Sequence, residues 1–598
     1  MSDMPDGTGR DITEPRRTGR DIPPIAVSRT TTEVNPTGSW KYIEPRYEDR
    51  VAPCNANCPV GIDIEGYLYL LGQGRTEAAA ALLLQENPMP AVTGRVCHHP
   101  CEDGCNRANL DEPVAIHSVE RRLGDIALAS PPPAAPDPVR DERVAVIGSG
   151  PAGLACAYHL ARSGYRVTVF ESAPEAGGML RLGIPEYRLP RAILDRQIER
   201  IASLGIEIRC GTKIGRDLPW SELDGFDAVF AAPGAHVGKD AAIENAADAP
   251  TIRAGLEFLK EVNAGGRPAL GEHVVVVGGG NTAMDCARSA LRLGSEVTVL
   301  YRRTPPEMPA IPQEVKEAKI EGVGFRFLAT PTAARTRDGR LLGIECQQMV
   351  LGPLDDSGRR RPIPQEEGRF TMIADCVLTA IGEDCDLGFL PEGVEIAGGV
   401  AVVDELCEST TARVFVGGDA ADLPRSVADA LGSGKRAAIG IDHWLRERAG
   451  ERVDPPDVAG LRFGANGNLS IARERGTDPL HRAAPVNEVA GWDRMNPAHF
   501  RSVPRNEDHF HAAGDLTASF GEVNFGLSDR EFRDEVARCM NCGVCNRCEL
   551  CLIFCPDMAI HRRADGEGFE IDLRYCKGCG LCAAECPRGA MAMSREES

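Results

Sequence analysis

The spacing of apolar residues changes several times along the chain, and each change predicts a different kind of element. From Val51 to about Ala129 apolar positions recur at helical spacing, as in IEGYLYLLGQGRTEAAAALLL, which predicts a bundle of helices over 51–130. The run SPPPAAPDPVRDE closes it, because Pro and small polar residues support neither period. Two units follow in which a β-branched strand, a glycine turn and an apolar helix succeed one another, VAVIGSGPAGLACAYHL from Val144 and VVVVGGGNTAMDCARSAL from Val274, each leading to a second strand. These read as two dinucleotide folds. Strand and helix signals return over 386–450 and end in GKRAAIGIDHWL, so the first fold, begun at 140–270, resumes after the second has been inserted at 271–385. Residues 451–537 are polar and irregular and read as a connector, and residues 1–50, without period, read as an extended arm lying on another domain or subunit. The last segment, 538–598, is set apart by cysteine.

At 598 residues the chain exceeds one core, since domains run to about 150 residues. A net charge of −21 excludes a phosphate backbone or an anionic membrane surface as partner over most of the molecule. The segment MSDMPDGTGRDITEPRR has no apolar core of the secretory kind, and no run approaches the ~18 apolar residues of a membrane span, so a cytoplasmic location is expected. Fifteen of the 22 cysteines are packed into two short regions at metal-ligand spacing, which points to thiolate ligands rather than disulfides. The other seven (Cys156, Cys210, Cys286, Cys346, Cys376, Cys385 and Cys407) stand singly among apolar residues and read as small hydrophobes.

In the first dinucleotide fold Gly148, Gly150 and Gly153 form GxGxxG between strand and helix, where backbone amides at a helix start meet a pyrophosphate. Glu171, at the end of the next strand, stands where a carboxylate accepts from the adenosine ribose. A second glycine turn in GGMLRLGIPEYRLP (Gly177, Gly178, Met179) and the late strand end VFVGGDAAD, with Gly418 and Asp419, favour FAD here. In the second fold Gly278, Gly280 and Ala283 give GxGxxA, with Asn281 and Thr282 inside the turn. The position matching Glu171 is Tyr301, followed by Arg302 and Arg303; guanidinium groups there suit a 2′-phosphate, so NADP is preferred to NAD. Residues 271–450 hold no CxxC, which argues against dithiol chemistry beside the flavin.

The outlet for electrons is expected at the cysteine-rich ends. Cys545, Cys548, Cys551 and Cys555, then Cys576, Cys579, Cys582 and Cys586, are two copies of CxxCxxCxxxCP. Three cysteines at this spacing wrap one 4Fe-4S cluster and the fourth reaches the other, giving Cys545, Cys548, Cys551 and Cys586 for one and Cys576, Cys579, Cys582 and Cys555 for its neighbour. A zinc ribbon lacks the doubled CxxxCP.

Residues 51–450, through CNANCPVGIDI, TGRVCHHPCEDGC, VAVIGSGPAGLACA, GGMLRLGIPEYRLP, GGGNTAMDCAR and YRRTPPEMPA, resemble the small (beta) subunit of glutamate synthase and the amino-terminal half of dihydropyrimidine dehydrogenase. The resemblance implies two amino-terminal clusters, one completed by an RCxxC motif that is missing before Cys54. Arg538-Cys539-Met540-Asn541-Cys542 carries that signature at the far end. It thus implies one set of Cys58, Cys97, Cys101 and Glu120, the last matching the family's non-cysteine ligand, and another of Cys54, Cys105, Cys539 and Cys542. Three clusters or fewer, with Cys539 and Cys542 spare, is the alternative.

The expected fold is an α/β two-dinucleotide-binding flavoprotein with an N-terminal α-helical iron-sulfur domain and a C-terminal α+β bacterial ferredoxin-like domain. The expected function is an NAD(P)H:acceptor oxidoreductase, moving a hydride from NAD(P)H to FAD and single electrons through 4Fe-4S clusters to or from ferredoxin or a partner oxidoreductase subunit. The alternative is an electron-input subunit without independent activity, in a hetero-oligomer of the 2-oxoacid oxidoreductase, sulfite reductase or glutamate synthase type. Hydride transfer needs no general base, and no catalytic acid or base is nominated.

Overall fold

The structure, a computed structural model, describes residues 36–132, 140–355, 357–451, 457–477, 486–511, 517, 519–566 and 568–595. The chain forms two compact units, Pro53–Arg482 with Val503–Cys539, and Met1–Ala52 with Ala483–Ser502 and Met540–Ser598.

The larger unit opens with helices Ile64–Gly72, Thr76–Glu86, Pro90–Val96 and Ile116–Ala129. Asp63 caps the first by accepting from Gly66 N at 2.9 Å, and Pro90 starts the third, where a missing N–H costs nothing. Helices Pro90–Val96 and Ile116–Ala129 cross at two glycines. A methyl on Gly94 would stand 2.3 Å from Arg121 Cα, and one on Gly124 would stand 2.4 Å from Ala91 N. Backbone-to-backbone approach at this crossing lets Val92, Val119 and Leu123 become fully buried.

Two five-stranded parallel sheets follow. The first runs Val414–Val416, Ala228–Ala231, Arg143–Ile147, Arg166–Phe170, Glu207–Arg209, and the second Gly324–Phe327, Glu296–Tyr301, His273–Val277, Cys376–Thr379, Ile252–Ala254. Their central strands, RVAVI and HVVVV, are apolar at successive rather than alternate positions because both faces are covered. The first sheet takes its outer strand, Val414–Val416, from beyond the second. An antiparallel sheet of Ala329–Arg337, Arg340–Leu354 and Arg360–Ile373 projects from the second fold, an addition that its mixed polar pattern did not announce.

The segment read as part of a connector is bound to this unit by polar ties. Glu522 accepts from Arg95 and Arg121 of the helical bundle, Val523 N donates to Tyr187 O at 3.1 Å, and Arg292 donates to Ser519 O at 3.1 Å. Such ties leave no hydrophobic period, so the sequence showed none.

In the smaller unit Ile43–Tyr47 pairs antiparallel with Met591–Arg595, and Ile560–Arg562 with Phe569–Ile571. The arm is thus, over residues 43–47, a strand of this unit; residues 1–35 lie outside the described residues. The two cysteine motifs are repeated in backbone conformation as well as in sequence. Arg547, Glu549 and Met558 adopt left-handed φ of 62°, 67° and 48°, and at the matching positions Gly578, Gly580 and Gly589 have 68°, 79° and 69°. The whole is an α/β two-dinucleotide-binding fold with an N-terminal helical iron-sulfur domain and a C-terminal ferredoxin-like domain. Among the described residues no helix is long and apolar enough to cross a membrane.

Gly124→Ala is expected to destabilise the larger unit by about 1–3 kcal/mol in denaturant unfolding, the cost of overpacking a closed crossing, and to lower bound iron.

Candidate cofactor and cluster sites

At the first dinucleotide turn Gly148 has φ +94°, and a Cβ there would lie 2.3 Å from Ala232 O; one on Gly153 would lie 1.9 Å from Gly148 O. Gly150 differs, because its Cβ position meets nothing within 4 Å. The start of helix Pro151–Arg162 therefore opens onto free space, which fits a pyrophosphate receiving backbone N–H groups. Glu171 is buried, and its carboxylate already accepts from Ser149 N (2.9 Å), Ser149 Oγ (2.5 Å), Ala173 N (2.7 Å) and Ser172 Oγ (3.2 Å). Of these, the bond from Ser172 is the longest. Ser149 Oγ also accepts from Gly177 N at 3.0 Å, so one hydroxyl joins the first turn, Glu171 and the Gly177-Gly178-Met179 turn. Nothing in the sequence singled out Ser149 beyond its place inside GxG.

Gly418 N donates to Ser433 Oγ at 2.9 Å, which brings the Gly418–Asp419 strand end against helix Val427–Arg448. Burial raises the Asp419 pKa, opposed by Arg425 and by the Ala235 amide. Strand Ala235–Gly238 pairs antiparallel with Glu383–Cys385. Cys385 Sγ donates to Asp419 O at 3.0 Å. The Thr282 hydroxyl bonds the Glu383 carboxylate, so the second glycine turn and the first fold's strand end meet at this strand pair.

In the second turn Gly278 has φ +148° and Gly280 heads helix Asn281–Arg292. Asn281 Oδ1 accepts from Ile311 N at 2.9 Å, and Ala283 is fully buried. The structure separates the two arginines. Arg302 is exposed, whereas Arg303 is buried, donating to Asp355 Oδ2 at 2.5 Å and to Arg360 O at 2.7 Å. Arg303 thus anchors the antiparallel sheet, and the solvent-facing guanidinium at this strand end is Arg302.

No cysteine forms a disulfide. Cys545, Cys548, Cys551 and Cys586 line one cavity, and Cys555, Cys576, Cys579 and Cys582 line a second. Each contains four convergent thiols, a donor set that fits a cubane, and in each set one cysteine, Cys548 or Cys579, is exposed. In the larger unit Glu120 acts electrostatically on Cys58, Cys97 and Cys101 alike. Burial is the main cause that raises all three thiols, Cys58 to about 11, so cluster assembly here must release protons. Burial also lifts Glu120 to about 7, against the bonds it accepts from Thr93 (2.5 Å) and Asn87 (3.0 Å). Cys54, Cys105 and Cys539 are half-buried against the same core. Arg107 donates to Arg538 O at 2.8 Å, and the Arg538 guanidinium bonds Asp111 and the carbonyls of Glu112 and Pro113, which pins the residue before Cys539 to the loop after Cys105. Cys542 belongs to the smaller unit.

One helix ties these features together. Within Val427–Arg448, a Cβ on Gly432 would lie 2.1 Å from the carbonyl of Pro59, the residue after Cys58. Ser433 holds Gly418, and Gly434 would meet Ala152 O at 2.1 Å. Lys435, fully buried, donates to Gly61 O at 3.2 Å and Glu86 at 2.5 Å. Asp429, one turn earlier, acts on Cys97. Cluster loop and flavin-type strand end therefore rest on consecutive residues of a single helix, a relation no local motif reveals.

Residues 142–434 match the family model described as pyridine nucleotide-disulphide oxidoreductase, 48–131 that of dihydropyrimidine dehydrogenase domain II, 4Fe-4S cluster, and 569–592 that of a 4Fe-4S binding domain. Similar proteins include the NADPH-Fe(3+) oxidoreductase subunit beta of Geobacter sulfurreducens, 37% identical over 83% of this chain and 76% of that one. The NADP(+)-dependent formate dehydrogenase subunit beta of Moorella thermoacetica is 41% identical over 82% and 70%. The glutamate synthase [NADPH] small chain of Escherichia coli is 34% identical over 66% and 88%.

Gly432→Val is expected to lower iron by about four atoms per chain, one cubane, while FAD content stays near one; the measurement is iron and flavin analysis of the anaerobically purified chain.

Proposed function

The chain belongs to the family of FAD- and iron-sulfur-dependent NAD(P)H oxidoreductases that includes the glutamate synthase small chain, and we propose that it is the NADPH-reactive electron-transfer subunit of a hetero-oligomeric enzyme, exchanging electrons with a catalytic partner subunit or ferredoxin. FAD, when bound, takes reducing equivalents from NADPH as a pair, and 4Fe-4S clusters pass them singly. The protein's part is to hold and insulate these groups.

In this reading the turns at Gly148, Gly150 and Gly153 and at Gly178 and Met179 seat the FAD, with Glu171 on its ribose and Gly418 and Asp419 along its chain. The turn of Gly278, Gly280, Asn281, Thr282 and Ala283 seats NADP(H). Arg302 meets the 2′-phosphate, and Arg303 positions that strand end through Asp355. Cys58, Cys97, Cys101 and Glu120 hold one cluster. Cys54, Cys105 and Cys539, all of the larger unit, are the candidates for a further set, and the two ferredoxin-like sets are those given above. Fifteen thiolates reserved for metal belong in a reducing compartment, which supports the cytoplasm.

The observation that carries this reading is the helix Val427–Arg448, whose adjacent residues Gly432 and Ser433 touch the Cys58–Pro59 loop and the Gly418 strand end. A flavin held at that strand end would share this helix with the Cys58–Pro59 loop. The absence of CxxC in 271–450 supports an outlet of this kind over dithiol exchange. Two similar proteins are named as beta subunits, of an NADPH-Fe(3+) oxidoreductase and an NADP(+)-dependent formate dehydrogenase, which supports a partner that carries the substrate chemistry.

Purification from the native host is expected to yield a second redox subunit in fixed ratio; a chain recovered alone that reduces ferredoxin with NADPH at its full cellular rate would overturn the subunit reading. Four clusters require iron near sixteen atoms per chain, whereas about twelve would remove the set that includes Cys539. Arg302→Ala is expected to raise KM for NADPH about tenfold, the loss of one charge-assisted phosphate contact, and to leave NADH kinetics unchanged.

A further inference from the structure

In the smaller unit the strand Ile43–Tyr47 does more than extend a sheet. Its alternate residues Pro45 and Tyr47 lie on one face, and each lines a different cysteine cavity, Pro45 that of Cys555, Cys576, Cys579 and Cys582, and Tyr47 that of Cys545, Cys548, Cys551 and Cys586. The Tyr47 hydroxyl lies 3.1 Å from Cys551 Sγ. Its ring stacks on Phe569, centroids 6.4 Å apart, and the strand is held in register by pairing from Ile43↔Arg595 to Tyr47↔Met591. The position of the hydroxyl is therefore set by sheet and ring packing, not by the bond to sulfur.

The two cavities differ in how their sulfurs are solvated. The Cys576 and Cys555 sulfurs accept from backbone amides, Gly578 N at 3.4 Å and Ala559 N at 3.3 Å. The backbone repeat makes such amide bonds a shared feature of both motifs: the Arg547 and Leu552 amides serve Cys545 and Cys551 in the first set. Tyr47 adds an O–H donor from outside either motif. A metal-bound thiolate has no proton to give, so the bond can run only from the phenol to the sulfur. An added electron increases the negative charge on the cluster sulfurs, and a donor to one of them stabilises the reduced state more than the oxidised.

We propose that Tyr47 is a positioning and potential-setting residue for the cluster held by Cys545, Cys548, Cys551 and Cys586, raising its reduction potential relative to that of its neighbour through the O–H···S bond to Cys551. Electron transfer adds one electron to that cluster and moves no proton; the phenol keeps its hydrogen throughout. Of two clusters built on one repeated motif, the one beside Tyr47 carries this O–H donor, while the charge of Lys41 acts on Cys576 of its neighbour, so the amino-terminal segment tunes the two differently. The inference rests on the assignment of Cys551 as a ligand.

The test uses the full-length chain, reconstituted with iron and sulfide, in anaerobic redox titrations followed by electron paramagnetic resonance. Tyr47→Phe keeps the ring on Phe569 and removes the donor. It is expected to move one ferredoxin-like signal to lower potential, by up to a tenfold change in its one-electron equilibrium (about 59 mV), and to leave the other in place. Site-specific 3,5-difluorotyrosine at position 47, a stronger donor of nearly the same shape, is expected to move the same signal upward. Unchanged potentials in both, with iron content unchanged, overturn the role of Tyr47; if Tyr47→Phe loses iron, the fluorinated chain decides alone. Cys551→Ala separates the two readings, since iron and spectra unaffected by it would refute the ligand assignment itself.

Discussion

The architecture depends on how closely one helix backbone can be approached. Along Gly432, Ser433, Gly434 and Lys435 the helix Val427–Arg448 meets the Cys58–Pro59 loop, the Gly418 strand end, the Ala152 turn of the first helix and the Gly61 carbonyl in succession. Two glycines remove the side chains that would hold those backbones apart, and the serine and lysine convert the approach into hydrogen bonds. Lys435 and Glu86 are both fully buried, and Glu86 also accepts from Ser470 Oγ and from the amides of Ile471 and Ala472. A buried ion pair so completely satisfied adds little net stability over an apolar pair, but it permits few alternative arrangements of the chain around it.

A second buried charge cluster fixes the two dinucleotide folds against each other. Arg188, on the loop after the Gly177 turn, bonds Asp285 of helix Asn281–Arg292 at 2.8 Å and Glu314 at 2.7 Å. Arg288, with no exposed surface, reaches Glu314, Glu317 and Glu321 at 2.5–2.8 Å and lies over the Tyr187 ring. Segment 519–523 covers this cluster through Phe520 and Val523. The relative placement of the two nucleotide turns is thus determined by ionic bonds whose partners are far apart in sequence.

What was legible in the sequence was what the backbone demands locally. GxGxxG and GxGxxA register the absence of space around Gly153 and Gly278, and the doubled CxxCxxCxxxCP registers a loop that must turn around four thiols. Spacing groups Cys586 with the first three cysteines of the first motif and Cys555 with those of the second, and the same residues line the two cavities. Long-range partners were not legible. Arg303 read as a phosphate ligand beside Arg302 because nothing near it in sequence discloses Asp355, which lies in the connection between two strands of another sheet. Residues 43–47 read as part of an extended arm because five residues are too few to display a period, and their partner strand is more than 500 residues away. Ser149 and Glu522 act by joining segments, a property carried by no single stretch of sequence.

The pairing of Ile43–Tyr47 with Met591–Arg595 also imposes an order on biosynthesis. At about 5–20 residues per second, the amino-terminal strand waits roughly 30–110 s on the ribosome before its partner is made. In that interval the flavoprotein body can collapse around its own core, while Pro45 and Tyr47 remain without the cysteine loops they enclose. Closure of this strand pair therefore follows synthesis of both dinucleotide folds.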